Sequence, residues 1–221
     1  MCPIEEDSWM FKRNQVEEAI ASVLEPGSAK PSSEMRTRLK RLLETDRALG
    51  RSKRSGDPER ANFAFSGMDA PGRGFENWLT GYEAFALLTG LRLMRDRWPQ
   101  GLVVAVLRRV KPDLERHHAR VLRQSPTTIL FDHERIRQRA RPGDLVGNTD
   151  PVFLVINSKD REHHTGTNPA AICQGQEDLM RFIKTWGPGQ TWTVTELGTS
   201  IHALSVALTK TVPRKRGRGS Q

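Results

Sequence analysis

Apolar residues recur at intervals of three and four along several segments of the chain, and Pro or Gly residues follow the ends of most of these segments. This spacing is typical of amphipathic helices with one buried side. The segment 81–97 is apolar around most of its circumference, which indicates a helix in the core. Residues 102–110 predict another apolar helix, and Pro112 suits the first turn of a separate helix after it. The predicted helices cover residues 8–24, 34–49, 81–97, 102–110, 112–124, 176–186 and 196–210.

Short apolar runs between polar turns predict strands in the second half of the chain, over residues 127–131, 151–157 and 170–174. In the first half, residues 63–79 predict a β-hairpin, because two short apolar segments flank a stretch rich in Gly and Pro. Arg73 lies between two glycines at the tip of this hairpin. The segment WGPGQTW, residues 186–192, predicts a turn.

The change of pattern at Ser125-Pro126 indicates a boundary between two kinds of structure. We therefore expect an α+β fold, in which a mainly helical, winged-helix-like module precedes a small α+β domain. The expected parts are an N-terminal helix and linker (1–30), the winged-helix-like DNA-binding module (31–124), the α+β domain for dimerisation or sensing (125–210) and a basic disordered tail (211–221).

The charge balance adds a functional expectation, because 35 Lys and Arg residues against 26 Asp and Glu residues give a net charge of +9. Basic proteins attract phosphate backbones or anionic membranes. No apolar run reaches the roughly 18 residues of a membrane-spanning helix, and the acidic start is unlike a secretory signal. Cys2 and Cys173 are too few and too far apart for a disulfide framework or a paired-cysteine zinc site. The sequence thus predicts a cytoplasmic protein that binds nucleic acid and no membrane.

The cations are clustered on neighbouring predicted elements. They crowd the helix over 34–49, the loop after it and the hairpin tip, and a second cluster, interleaved with Gly, lies in the tail. In a winged helix, a recognition helix enters the major groove while the hairpin wing reaches the backbone or the minor groove. The guanidinium fork suits both tasks, because it can bind guanine or phosphate with two hydrogen bonds. The candidate nucleic-acid-binding residues are Arg36, Arg38, Lys40, Arg41, Arg51, Lys53, Arg54, Arg73, Arg214, Lys215, Arg216 and Arg218.

The run LTGYEAFALLTGLRLMRDRWPQGLVVAVLRRV, residues 79–110, resembles the segment after the wing in MerR-type winged-helix regulators. In that family an aromatic residue near a helix start precedes a leucine-rich helix that ends in arginine, and a tight break and a second apolar helix follow. The resemblance, over residues 36–110, implies a winged-helix fold and DNA binding in transcription regulation, with Pro71-Gly72-Arg73-Gly74 as the wing. The matching positions are Tyr82, Leu87, Leu91, Arg95, Trp98-Pro99, Val103, Val104 and Leu107.

A metal-dependent nuclease is the main enzymatic alternative. Two polar segments carry carboxylates and imidazoles, which can hold a divalent metal for phosphodiester cleavage. Neither has a ligand spacing such as HExxH, and the sequence has no GxSxG elbow and no P-loop. These segments contain Asp132, His133 and Glu134, and Asp160, Glu162, His163 and His164.

A second histidine feature is the pair His117 and His118. Adjacent residues of a helix point about 100° apart, so the two imidazoles are poor partners for one metal. With Arg116, Arg120 and Arg123 on the same predicted helix, we expect this pair on a basic surface.

These features favour a sequence-specific DNA-binding protein that acts as a transcription regulator, with no catalytic residue, metal or cofactor. A homodimer is expected from the usual two-fold symmetry of DNA readers. Two alternatives stay open: the nuclease, and a basic adaptor that binds RNA or an acidic protein. The sequence does not identify a small-molecule effector.

Overall fold

The structure is a computed structural model, and it describes residues 10–28, 30–67, 78–124, 151–157, 170–186 and 189–213. Within these ranges the chain forms seven helices and two small antiparallel sheets, which confirms a mixed α+β class. The elements are β1 (Met10–Lys12), α1 (Arg13–Leu24), α2 (Ser33–Ala48), α3 (Pro58–Ala61), β2 (Trp78–Thr80), α4 (Gly81–Arg95), α5 (Gln100–Leu122), β3 (Val152–Asn157), β4 (Ala170–Gln174), α6 (Gly175–Thr185), β5 (Trp192–Glu196) and α7 (Gly198–Lys210).

The core is built around α4, which is buried at nearly every position from Tyr82 to Leu91, as its apolar circumference predicts. It packs against α2 and α5. The close approach depends on Gly90, because a Cβ there would lie only 3.2 Å from Leu42 Cδ1 and 3.4 Å from Leu107 Cδ1. The helix ends where Arg97 adopts a left-handed conformation, with a φ of 64°.

The larger sheet has the strand order β4-β3-β5. One face of β3 carries Val152, Leu154 and Ile156 into the same apolar core as the N-terminal helices. Helix α7 packs against α1, α4 and α5, and Gln15 Nε2 donates to the Thr211 carbonyl at 3.2 Å. The described parts of the two halves of the chain therefore share one core.

Several predicted elements are confirmed, with bounds within a few residues. They are the helices over 34–49, 81–97, 176–186 and 196–210 and the strands over 151–157 and 170–174, and they correspond to α2, α4, α6, α7, β3 and β4. The strand expected over 127–131 lies outside the described residues.

The prediction of a β-hairpin over residues 63–79 is wrong in its strand pairing. Phe63–Phe65 is not a strand, and β2 pairs with β1, so that Phe11 lies opposite Leu79. Phe63, Ala64 and Phe65 are buried, and the backbone N–H groups of Ala64 and Phe65 donate to the Asp46 carboxylate, each at 3.1 Å. The carboxylate of a buried acid, and not a partner strand, accepts the hydrogen bonds from the backbone N–H groups of residues 64 and 65.

Two helix predictions are also wrong. The first helix begins at Arg13, because residues 10–12 form β1. The segments 102–110 and 112–124 are one helix, α5, with Pro112 inside it. In the predicted turn over 186–192, Trp186 and Gly189 do lie in turns, residues 187 and 188 lie outside the described residues, and β5 begins at Trp192.

Candidate nucleic-acid interface

Helix α2 separates its apolar and basic residues around its circumference. Ser32 caps the helix: its hydroxyl accepts from the Met35 N–H at 3.2 Å and donates to Glu25 at 3.0 Å. Leu39 and Leu42 are buried against the core. The opposite side is in solvent, and its cations are exposed or half-exposed. They are Arg36, Arg38, Lys40, Arg41 and Arg47.

Most of the cations predicted on α2 have a carboxylate nearby. Arg36 lies 3.6 Å from Glu17, and Lys40 lies 3.7 Å from Glu44. Arg38 makes a closer pair, at 2.5 Å, with Glu34. Exposed ion pairs of this kind contribute between zero and about 1 kcal/mol to the stability of the fold, because water and salt screen them. A phosphate group can therefore replace the carboxylate at small cost.

The loop after α2 carries Arg51, Lys53 and Arg54, of which the last two are exposed. The loop folds back on α3, because the Ser52 N–H donates to the Arg60 carbonyl at 2.7 Å. The Arg51 guanidinium lies 5.1 Å from the centre of the Phe63 ring. The three cations thus belong to an ordered loop beside the C-terminal end of α2.

A buried ion pair fixes α2 to its neighbours. The sequence pattern does not predict which two residues form this pair. Arg108 Nε donates to Asp46 Oδ1 at 2.6 Å, and the two side chains are 4% and 3% exposed. Arg108 also donates to the Asp46 carbonyl and, at 2.8 Å, to the Gly50 carbonyl. The same Asp46 carboxylate holds residues 64 and 65. This pair, which we call the latch, joins α2, α5 and the loop that carries the cations.

A signal for one half of the latch does exist in the sequence. Asp46 follows Leu39, Leu42 and Leu43 in the i, i+3, i+4, i+7 phase of the buried side of α2. An acid in that phase has to find a buried partner.

The basic surface continues beyond α2 toward β1 and β2. Glu17 is shared by two guanidiniums, Arg13 at 2.8 Å and Arg36 at 3.6 Å. Arg13 follows directly on Lys12, whose ammonium lies 5.3 Å from the centre of the Trp78 ring. A row of cations therefore runs from the start of α1 to α2.

The remaining predicted residues lie outside the described part of the chain: Arg73, Arg214, Lys215, Arg216 and Arg218. The two segments of the nuclease alternative, with Asp132 to Glu134 and Asp160 to His164, also lie outside it. Within the described ranges, no group of three or more His, Cys, Asp or Glu side chains could hold a metal ion.

The expectation that His117 and His118 lie on a basic surface is wrong, since both are buried. The His118 ring stacks on Phe85 with centroids 5.2 Å apart and meets the edge of Tyr82 at 5.7 Å. The cause is the phase of α5, because the two histidines follow Leu114 at i+3 and i+4 on the buried side. Burial strongly raises the pKa of Tyr82, and the nearby Glu115 and Glu83 raise it further.

A second polar group is buried where α4 meets α7. Arg92 donates to the hydroxyl of the buried Ser200. Burial lowers the pKa of Arg92, and the carboxylates of Glu196 and Asp96 partly offset that effect. Burial also lowers the pKa of His202, again partly offset by Glu196. Burial, with a further contribution from Asp178, raises the pKa of the Cys173 thiol to about 11, so the thiol stays protonated at neutral pH.

Among the described residues, no helix combines the length and the apolar character that crossing a membrane would require. Comparison of the chain with protein-family models, curated proteins and solved structures found no match.

Proposed function

We propose that this protein binds duplex DNA through the exposed side of α2 and the loop after it. The observation that carries the proposal is the separation of charge and apolar surface on α2. Leu39 and Leu42 face the core, and the basic side chains face solvent. The latch holds both parts of this surface at fixed positions before DNA arrives. A preformed basic surface loses little conformational entropy on binding.

The dimensions of α2 fit a groove of the duplex. Its 16 residues span about 24 Å, and a helix about 10–12 Å across fits a major groove about 12 Å wide. At about 100° per residue, Arg36, Lys40 and Arg47 lie along one flank of the exposed side, and Arg38 and Arg41 lie along the other. Cations on both flanks suit the two phosphate backbones that border a groove.

In the winged-helix arrangement that the sequence resembles, α2 would serve as the recognition helix. We extend the proposal to sequence-specific binding and transcription regulation, because arginines on a groove-bound helix can reach guanine edges. Selection from a pool of random duplexes tests this extension, and enrichment of a common motif is the expected result.

Fluorescence anisotropy with a short labelled duplex, over a series of salt concentrations, tests binding itself. The double substitution Arg36→Ala and Arg41→Ala removes one cation from each flank of α2. We expect weaker binding, and a log–log salt slope that becomes shallower by about 0.9 for each phosphate that the variant no longer neutralises.

The matched control is the double substitution Arg181→Ala and Lys184→Ala, which also removes two cations, because both side chains are exposed on α6, in the C-terminal half, and Arg181 pairs with Asp178 at 3.7 Å. It should leave the affinity and the salt slope unchanged. Equal effects of the two double substitutions would show that only net charge matters and would contradict the α2 surface. Shortening of the DNA with magnesium, abolished by EDTA, would instead support the nuclease.

A further inference from the structure

The ribbon of β1 and β2 presents an aromatic ring to solvent. In this antiparallel pair Phe11 lies opposite Leu79, and Lys12 lies opposite Trp78. Successive side chains of a strand point to opposite faces, and Phe11 and Leu79 pack inward. The outer face therefore carries Met10, Lys12 and Trp78, and both Met10 and Trp78 are 44% exposed.

The exposed indole has a cation beside it. The Lys12 ammonium lies 5.3 Å from the centre of the Trp78 ring, within the range of a cation–π interaction. An aromatic ring next to a cation is the combination that binds unpaired nucleotides, because the ring stacks on a base while the cation attracts its phosphate.

The ribbon is continuous with the basic surface of α2. Lys12 is followed by Arg13, and Arg13 and Arg36 contact the same Glu17 carboxylate at 2.8 Å and 3.6 Å. A nucleic acid bound along α2 could therefore extend past Arg36 and Arg13, which share the Glu17 carboxylate, to Lys12 and Trp78.

We propose that Trp78 stacks on an unpaired base that extends from a duplex bound along α2, so that the preferred ligand is a junction of double and single strand. The inference rests on the proposed function. Bases inside a duplex are covered on both faces by their neighbours, and the free face of a terminal pair points along the helix axis, so only an unpaired base can turn a free face toward an indole beside the duplex. Lys12 and Arg13 supply the charge that the phosphates of the unpaired strand require.

Three labelled DNAs with the same duplex test the proposal: one blunt, one with a 5′ single-stranded extension and one with a 3′ extension. We expect about tenfold tighter binding for one of the extended forms, the size that stacking on one aromatic side chain supplies. Repeating that extension in RNA determines which sugar is preferred.

Trp78→Ala should abolish the gain from the extension and leave binding of the blunt duplex unchanged. Trp78→Phe keeps a smaller ring and should keep part of the gain. Trp186→Ala is the matched control, since Trp186 is 47% exposed and is the C-cap of α6, not part of the ribbon. It should keep the whole gain. Thermal melting of each variant checks that it is folded.

The outcomes separate the two proposals. The stacking proposal is wrong, and duplex binding stands, in either of two cases. In the first, the blunt duplex binds and neither extension raises the affinity; in the second, the higher affinity for an extended form survives Trp78→Ala. Extended DNA that binds where the blunt duplex does not overturns duplex binding along α2, and with it the junction as the preferred ligand. If none of the DNAs binds, both proposals are wrong.

Discussion

At the scale of single residues, His202 places an imidazole inside the packing of α7. The residue is 8% exposed, and its buried Nε2 has no hydrogen-bond partner among the described residues. Burial lowers the pKa of His202 below its usual 6.5, and the Glu196 carboxylate offsets part of that change. The folded protein therefore resists protonation of a group that the unfolded chain protonates readily.

The consequence is a loss of stability in acid. As the pH falls through 6.5, the unfolded state takes up a proton that the folded state does not, so the free energy of unfolding decreases until the lowered pKa is reached. His202→Gln removes the titrating group. We expect the free energy of unfolding, measured by urea denaturation, to fall less between pH 7.5 and pH 5 in the variant than in the unsubstituted protein. A difference that is constant with pH would contradict the lowered pKa.

The exposed residues of α2 were predictable from the sequence, and several buried polar residues were not. Arg36, Lys40 and Arg41 fall outside the apolar phase of their helix, so their exposure follows from periodicity alone. Asp46 falls in the apolar phase of α2, but its pairing with Arg108 depends on two helices that meet 62 residues apart, and periodicity carries no information about such pairs.

At the scale of elements, α5 shows how packing overrides a local signal. Pro112 lacks an N–H and is expected to start or break a helix. Here it is exposed in the middle of a 23-residue helix, and Val110 before it and Leu114 after it are both buried. The apolar contacts on both sides of Pro112 offset the missing hydrogen bond. Tertiary contacts of this kind are not visible in the residues around a proline.

The latch joins three elements, so its removal should affect both stability and binding. Arg108→Leu leaves the Asp46 carboxylate buried without its partner, and breaking a buried pair in this way costs about 3–5 kcal/mol. The loop with Lys53 and Arg54 also loses the hydrogen bond from Arg108 to the Gly50 carbonyl. We expect a lower free energy of unfolding in urea and, under conditions where the variant is folded, weaker binding of duplex DNA.

The neighbouring Arg109 provides the control. It pairs with Glu59 at 2.6 Å, but its side chain is 23% exposed and that of Glu59 is 35% exposed. Screening by water limits such a pair to about 1 kcal/mol or less. A cost for Arg108→Leu no larger than that for Arg109→Leu would show that the buried pair does not fix α2.

At the scale of the whole molecule, the helical and sheet parts are joined by their core. The mixed α+β class was predictable, because the change of pattern after residue 124 marks a change from helices to strands. The packing of α7 on α1 and α4 was not, since the pattern that predicts α7 only shows that one side is buried. The division into separate domains at residue 124 remains a prediction.

The shared core provides a test of that division. Residues 31–124 include α2, α4 and α5 and lack α1, β4 and α7, which pack against them. Without these elements, part of the apolar surface of side chains such as those of Leu87, Leu88 and Leu107 would be exposed to water. This exposure costs about 25 cal/mol of stability per Å². We expect the fragment 31–124 to show no cooperative thermal transition by circular dichroism, and the fragment 10–213 to melt like the full chain.

In the full chain, helix content and tryptophan fluorescence should change at one temperature. A fragment 31–124 that melts cooperatively and binds duplex DNA would establish an independent N-terminal module.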